Sequence, residues 1–160
     1  NKYLLMQNHM TVDVEESGLT VFADEKWLRF ILNQLIANAV KYRRNAAVPS
    51  ASPAICFHME HRNGTVRLTL SDNGIGIPAG DLPRIFDKGF TGQNGRSRQG
   101  STGLGLYLCR RLCDKLEIGL EAHSPAVSGS GRLPFPDAPN TGTTIILSFY
   151  VNHFISQVQE

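Results

Sequence analysis

Apolar and polar residues alternate along six short stretches of the chain, with the two-residue period that is typical of a half-buried β-strand. These stretches are residues 10–14, 19–23, 55–61, 65–71, 119–123 and 143–151. The dipeptide Asn63-Gly64 separates the third stretch from the fourth and is typical of a tight hairpin turn. The pattern therefore predicts six strands, two of which form a β-hairpin.

Apolar residues recur every three or four positions in two longer stretches, which indicates two amphipathic helices. The first begins after Asp24, a favourable N-cap residue, and continues to about Arg44. The second covers residues 104–116, where leucine occupies every fourth position. A short helix is also predicted within residues 78–86. The order β-β-α-β-β-α-β-β predicts an α+β fold, a two-layer sandwich with helices packed on one face of a mixed β-sheet.

Three polar stretches lack both periods and are predicted to be loops. Residues 45–53 are rich in Ala, Pro and Ser, and residues 87–102 are rich in Gly, Gln, Ser and Arg. Residues 124–142 form an insert rich in Pro and Gly, a composition that cannot continue a helix or a central strand. A length of 160 residues fits one domain, so residues 1–160 are predicted to form a single domain.

Composition excludes several functional classes. The net charge is only +2 and the basic residues are scattered, so no nucleic-acid partner is expected. No run of about 18 apolar residues exists, so no contact of this chain with a membrane is expected. Cys56, Cys109 and Cys113 lack metal-ligand spacing and are predicted to be free thiols in a reducing cytosol. Because the sequence starts at Asn1 without an initiator methionine, we expect a cytoplasmic fragment of a longer protein.

Gln34, Asn38 and Lys41 share one polar stripe of the first predicted helix, because they follow one another at positions i, i+4 and i+7. A solvated helix face is the ordinary explanation of such a stripe. Asparagine is nevertheless unusual within a helix, since it favours caps and turns. The neutral amide oxygen of Asn38 suits a hard cation such as Mg²⁺, which also binds a triphosphate.

Two pairs of glycines lie where the chain leaves a strand or enters a helix. Asp72 ends a predicted strand and is followed by Gly74 and Gly76, which a plain Asp-Asn-Gly turn would explain. A carboxylate there can also accept a hydrogen bond from the amino group of adenine. Gly103 and Gly105 open the second long helix, whose free N–H groups suit phosphate. Neither pair fits a Rossmann or a Walker loop.

Four segments together resemble the N, G1, F and G2 boxes of the ATP-binding domain of sensor histidine kinases, in the GHKL superfamily. They are NQLIANAVKY (33–42), DNGIGI (72–77), IFDKGF (85–90) and GSTGLGL (100–106). The resemblance implies a Bergerat-type ATP-binding fold and a protein-histidine kinase that uses ATP and Mg²⁺. It also implies an ATP lid at about residues 87–102. Phe86 and Phe90 would anchor this lid, although packing in a core would also explain them.

The resemblance assigns roles to individual residues. Asn38 becomes the Mg²⁺ ligand through the ATP phosphates, Asp72 recognises adenine, and Tyr42 packs near adenine or ribose. The implied catalytic residues are Asn38, Lys41 and Gln34. The implied cofactor-binding residues are Asn38, Lys41, Tyr42, Asp72, Gly74, Gly76, Ile77, Phe86, Lys88, Thr102, Gly103, Leu104, Gly105 and Leu106.

Gln34 separates two kinds of enzyme within the superfamily. Members that hydrolyse ATP, such as gyrases, mismatch-repair proteins and heat-shock chaperones, have Glu at this position as the general base for water. Gln does not accept a proton usefully, so the resemblance favours phosphoryl transfer over hydrolysis. A GHKL-type ATPase and a non-catalytic nucleotide-binding regulatory module are the alternatives. Among the lid cations, Lys88, Arg96 and Arg98 are each able to reach the phosphates.

A histidine kinase also needs a phosphoacceptor histidine that is followed by an acidic residue. The five histidines all lack that context: His9, His58, His61, His123 and His153. The acceptor is therefore expected on a histidine-containing dimerisation domain of the same protein, upstream of Asn1. A response regulator is the implied downstream partner.

Three segments resemble more specifically the intramembrane-sensing kinases of Gram-positive bacteria, which are linked to peptide-antibiotic transporters. They are KGFTGQNGR (88–96), STGLGLYL (101–108) and LCDKL (112–116). This resemblance implies an ABC transporter as a further partner, and a full-length protein in the bacterial cell membrane. The sequence departs from that group at residues 125–140, where the group turns tightly.

Overall fold

The computed structural model describes residues 2–44, 52–96, 101–127, 135 and 141–150. Its strands are β1 (Thr11–Val14), β2 (Ala54–Arg62), β3 (Thr65–Asp72), β4 (Ile118–His123) and β5 (Thr143–Tyr150). Its helices are α1 (Lys2–Gln7), α2 (Glu25–Lys41), α3 (Gly92–Arg96) and α4 (Gly105–Lys115), with a 3₁₀ turn at Leu82–Arg84. The strands form one sheet in the order β1-β2-β3-β5-β4.

The sheet is mixed because β1 pairs with β2 in parallel and the other neighbours are antiparallel. β2 and β3 form the predicted hairpin, and Arg62 pairs with Thr65 across the turn. Asn63 and Gly64 both have positive φ angles, 51° and 71°, as a two-residue turn that matches strand twist requires. The α+β sandwich predicted from the sequence is therefore confirmed.

The helix α2 begins where the sequence predicts it. The side chain of Asp24 accepts a hydrogen bond from the backbone N–H of Trp27 at 3.1 Å, which makes Asp24 the N-cap. Ile31, Leu35 and Ala39 are buried against the sheet at spacings of four residues. The stripe that contains Asn38 lies beside this buried face.

The fully buried residues of helix α4 are cysteines and not the leucines of the predicted pattern. Cys109 and Cys113 are fully buried free thiols, and burial raises their pKa values to about 12 and about 11. Leu104 and Leu108 are about two-fifths exposed, at 40% and 43%. Residues spaced by four drift around a helix of 3.6 residues per turn, so the four leucines cannot all face the core.

The local structure differs from the predictions in three places. Residues 19–23 are not a strand: Leu19 and Val21 pack against the core, but the segment pairs with none of the five strands of the sheet. Residues 78–86 form only the 3₁₀ turn, which contains a proline. The short helices α1 and α3 were not predicted.

Two predicted loops lie largely outside the described residues, namely 45–53 and the insert 124–142. The ends of the insert are described, and the N–H of Ala126 donates to the carbonyl of Thr141 at 3.0 Å. Within the described ranges, no helix is both long enough and apolar enough to cross a membrane.

Candidate functional site

A cavity of about 310 Å³ lies between α2, the end of β3 and the start of α4. This volume is at the lower end of the range for small-molecule sites. Many of the predicted site residues line it: Gln34, Asn38, Lys41, Tyr42, Asp72, Gly76, Ile77, Thr102, Gly103, Gly105 and Leu106. Three segments that are distant in sequence therefore meet around one space.

Four predicted site residues do not line this cavity. Gly74 contacts the side chain of Asp72 and donates its N–H to the Asp72 Oδ1 at 2.8 Å. Phe86 packs against the core, with the guanidinium of Arg110 at 4.5 Å from its ring centroid. Lys88 and Leu104 are exposed.

The wall formed by α2 presents amides and a cation to the cavity. Asn38 and Lys41 are half-buried at the wall, so the stripe is not simply a solvated helix face. A Cβ atom at Gly105 would lie 2.8 Å from the Gln34 Oε1, which places the Gln34 amide against the first turn of α4. The wall thus presents two carboxamides and one ammonium group to the cavity, with the Gln34 amide next to the start of α4.

Asp72 is a buried carboxyl group at the floor of the cavity, only 8% exposed. Burial raises the pKa of Asp72 from its usual 3.8 to about 7, because a low-dielectric environment disfavours the charged form. Hydrogen bonds from the backbone N–H groups of Gly74 and Thr143 act in the opposite direction and lower this pKa. The carboxyl group of Asp72 therefore changes its charge near neutral pH. A ligand that donates a hydrogen bond to it favours the charged carboxylate form.

Glycine is required in the loop after Asp72 because the backbone there has no room for a side chain. A Cβ atom at Gly74 would lie 2.6 Å from the carbonyl oxygen of Tyr42. Gly76 has a φ angle of +74°, and a Cβ atom there would lie 2.9 Å from the Ser124 Oγ. The N–H of Ile75 also donates to the Tyr42 carbonyl at 3.0 Å. The loop is thus held tightly between the end of α2 and the start of the insert.

Residues 87–96, the lid segment, lie between this loop and α4 in the sequence. The N–H of Gly89 donates to the carbonyl of Gly103 at 3.0 Å. Gly103 has a φ angle of +66°, and a Cβ atom there would collide with the backbone of Gly89 and Phe90. The two glycines therefore allow the lid segment to pack directly on the segment that precedes α4.

Gly103→Ala is expected to destabilise the domain by about 1–3 kcal/mol, because it combines a left-handed backbone with a backbone collision. We also expect weaker nucleotide binding, since the lid segment must move away from Gly103. Thermal unfolding and calorimetric titration with ADP would measure both effects. Gly80→Ala is the matched control, because a Cβ atom at Gly80 meets nothing within 4 Å. Equal stability and affinity in the two variants would contradict this reading.

Two lining residues, Asp81 and Asn94, were not identified as site residues from the sequence. Ser101 also lines the cavity. The Oγ of Ser101 is buried without a hydrogen-bond partner among the described residues, so it is available to donate to a ligand. Its position in a run of small residues before a helix is a sequence signal for phosphate. Asp81 gives no such signal in the sequence, because its position at the cavity is fixed by a hydrogen bond from the N–H of Gln93, twelve residues later in the chain.

The cavity suits a nucleotide that carries Mg²⁺. In proteins Mg²⁺ takes one or two protein oxygens, together with phosphate oxygens and water. Asn38 supplies an amide oxygen at the cavity wall, and the Ser101 hydroxyl and the free N–H groups of the first turn of α4 suit phosphate. Among the described residues, no three His, Cys, Asp or Glu side chains meet as a metal-binding group.

Comparison with known proteins gives one family and consistent relatives. The family described as histidine kinase-, DNA gyrase B-, and HSP90-like ATPase matches residues 23–153. The sensor protein BceS of Halalkalibacterium halodurans is 37% identical over 132 residues, which are 82% of this chain and 37% of that protein. The sensor histidine kinase YxdK of Bacillus subtilis is 36% identical over 81% of this chain and 34% of its own length. The chain therefore spans about a third of the length of these relatives.

Solved structures share the fold at lower identity. The mycobacterial sensor histidine kinase MprB superimposes with a TM-score of 0.72 at 20% identity, over 93% of this chain and 89% of that chain. Full-length ShkA, solved in complex with AMPPNP, superimposes with a TM-score of 0.63 at 21% identity, over 92% of this chain and 27% of that chain.

Proposed function

Because the chain belongs to the histidine kinase-, DNA gyrase B-, and HSP90-like ATPase family, and its relatives are sensor histidine kinases, we propose that it donates the γ-phosphoryl group of ATP to a histidine on a dimerisation domain. The main support is the cavity that unites Asn38, Asp72 and Gly103 from three separate segments. These residues suit a purine nucleotide, because the amide suits a cation, the carboxyl group suits the nucleobase and the start of α4 suits phosphate.

Each residue has a distinct part in this proposal. Asp72 accepts a hydrogen bond from the adenine amino group, and Tyr42 packs beside the adenine or ribose. Asn38 holds Mg²⁺, which when bound neutralises charge on the transferring phosphoryl group. The backbone before α4 and the hydroxyl of Thr102 bind phosphate, and Lys41 faces the same phosphates.

Transfer is favoured over hydrolysis by the amide of Gln34. A water nucleophile needs a general base, and Gln34 stands on the α2 wall at the position where members that hydrolyse ATP have Glu. A histidine acceptor brings its own nucleophilic nitrogen, so the donor domain only has to bind, orient and neutralise charge. The two alternatives, a GHKL-type ATPase and a regulatory module without phosphotransfer, remain as outcomes of the test.

The partners follow from the same proposal. The acceptor is a histidine on a dimerisation domain of the same full-length protein, and a response regulator takes the phosphoryl group from it. We also propose that the full-length protein resides in the bacterial cell membrane and works with an ABC transporter. The relatives support this only through their identity as sensor proteins.

The decisive experiment mixes this chain, ATP and Mg²⁺ with the dimerisation domain of a relative such as BceS. Acid-labile phosphate on the dimerisation domain is the expected result, with little free phosphate. Free phosphate alone would indicate an ATPase, and nucleotide binding without either product would indicate a regulatory module. Stable phosphohistidine on the chain incubated alone would contradict the proposed division between donor and acceptor.

A further inference from the structure

The lid segment contains a helix that cannot be stable by itself. The helix α3 has only five residues, Gly92–Arg96. Such a helix is unfavourable in isolation, because nucleation fixes more backbone angles than its few hydrogen bonds repay. Its conformation must therefore be maintained by contacts with the rest of the domain, and Asp81 and Asn94 make two of them.

The first contact is a hydrogen bond from α3 to Asp81. The Oδ2 of Asp81 accepts from the backbone N–H of Gln93 at 2.8 Å. The first N–H groups of a helix have no partner within the helix, and an anionic acceptor there also meets the positive end of the helix dipole. This acceptor lies twelve residues earlier in the chain, so it is a tertiary contact and not a local cap.

Asp81 is itself held in a fixed place. Its backbone N–H donates to the carbonyl of Pro78 at 2.9 Å, and its carbonyl accepts from the N–H of Arg84 at 2.9 Å. On the other side of the contact, Gly92 has a φ angle of +62°, and a Cβ atom there would lie 2.7 Å from the Asp81 Oδ2. Glycine at position 92 is thus what allows the carboxylate to approach α3.

The second contact joins the lid segment to the loop after Asp72. The Nδ2 of Asn94 donates to the carbonyl of Gly76 at 3.1 Å. Asp81, Gly76 and Asn94 all line the cavity. The lid segment is therefore attached at two points to the same wall of the proposed nucleotide site.

We propose that Asp81 is a positioning residue that holds the lid segment in the conformation that receives the nucleotide, an inference that rests on the function proposed above. Because the Asp81–Gln93 hydrogen bond orders α3 beforehand, the nucleotide does not have to supply the entropy of ordering it. Removal of this bond therefore lowers nucleotide affinity and leaves the lid segment open to proteolysis. Asn94 acts in the same direction from the other end of α3.

The test compares Asp81→Ala with Asp81→Asn, whose amide oxygen still accepts a hydrogen bond. We expect the alanine variant to raise the Kd for Mg²⁺–ADP about tenfold, the loss typical of one charge-assisted hydrogen bond. Without nucleotide, trypsin should cut it after Arg96 about tenfold faster. The asparagine variant keeps a neutral acceptor and should fall between the original chain and the alanine variant in both assays. Asp114→Ala, at an exposed carboxylate on α4, is the control and should change neither value.

Each outcome decides the proposal. Unchanged affinity and unchanged cleavage in Asp81→Ala would overturn it, and equal losses in Asp81→Asn would show that charge and not the hydrogen bond matters, which also overturns it. Where Asp81→Ala does not fold, Asn94→Ala must raise both the Kd and the cleavage rate, or the proposal fails. Faster cleavage of Asp81→Ala in a chain that binds no nucleotide would support the lid contact and refute the proposed function.

Discussion

Asn38→Asp is expected to reduce phosphotransfer from ATP–Mg²⁺ to a dimerisation domain by more than about a hundredfold. The substitution keeps the shape of the side chain on α2, so the cavity stays intact. It replaces a neutral oxygen with a negative one beside the triphosphate, where like charges repel strongly because the wall is half-buried. Changes to residues that only orient a metal ligand already cost about ten- to hundredfold, so a larger loss is expected at a residue that would bind the metal directly. Radiolabelled ATP and quantified phosphohistidine would measure the effect.

The same helix offers a matched control for this variant. Asn33 is an exposed asparagine on α2 and does not line the cavity. Asn33→Asp introduces the same charge with the same change of atoms, and we expect it to retain the original rate. Comparable losses in both variants would attribute the effect to the charge of α2 and not to the Mg²⁺ site. Phosphotransfer at the original rate in Asn38→Asp would contradict the assignment of Asn38 as the Mg²⁺ ligand.

Asp72→Asn is expected to weaken binding of adenine nucleotides more than about tenfold and, at the same time, to stabilise the domain at pH 8. Affinity falls because asparagine can turn its NH₂ group toward the adenine amino group, where two donors meet. Stability rises because the variant no longer buries a carboxylate that carries a charge. ADP titration and denaturant unfolding on the same samples would measure the two effects.

The direction of the pH dependence follows from the raised pKa of Asp72. The unfolded chain releases this proton near pH 3.8, whereas the folded domain keeps it until about pH 7. The stability of the original domain, relative to Asp72→Asn, therefore falls as the pH rises from about 4 to about 7, and is constant above that. The whole difference corresponds to about 4 kcal/mol. Asp13→Asn, on the exposed strand β1, is the control for the replacement of a carboxylate by an amide.

Opposite changes in affinity and stability would distinguish a functional carboxylate from a structural one. If Asp72 served only to accept the hydrogen bond from the N–H of Gly74, its substitution would lower the stability of the domain or leave it unchanged. No gain in stability at pH 8 would then be seen. A loss of stability together with a loss of affinity would mean that the variant is merely misfolded. Higher stability together with lower nucleotide affinity is the result expected if the burial of Asp72 serves ligand recognition.

Local rules in the sequence predicted the elements that depend on neighbouring residues. The N-cap at Asp24 and the turn at Asn63-Gly64 are decided by hydrogen bonds and φ angles within a few residues, so their residue types were sufficient. The same rules failed at residues 19–23, because alternation reports which side chains are buried and not whether the backbone joins a sheet. They also failed for α3, whose stability comes from contacts outside its own five residues.

The sequence by itself determined the family of this protein and many of the residues that line its cavity, because the four boxes place amides, a carboxylate and glycines at fixed spacings. Only the tertiary structure decided the state of those groups. Burial at the end of β3 raises the pKa of Asp72, and a contact across twelve residues lets Asp81 hold α3. Solvation and long-range hydrogen bonds depend on what surrounds a residue in space, and sequence spacing does not carry that information.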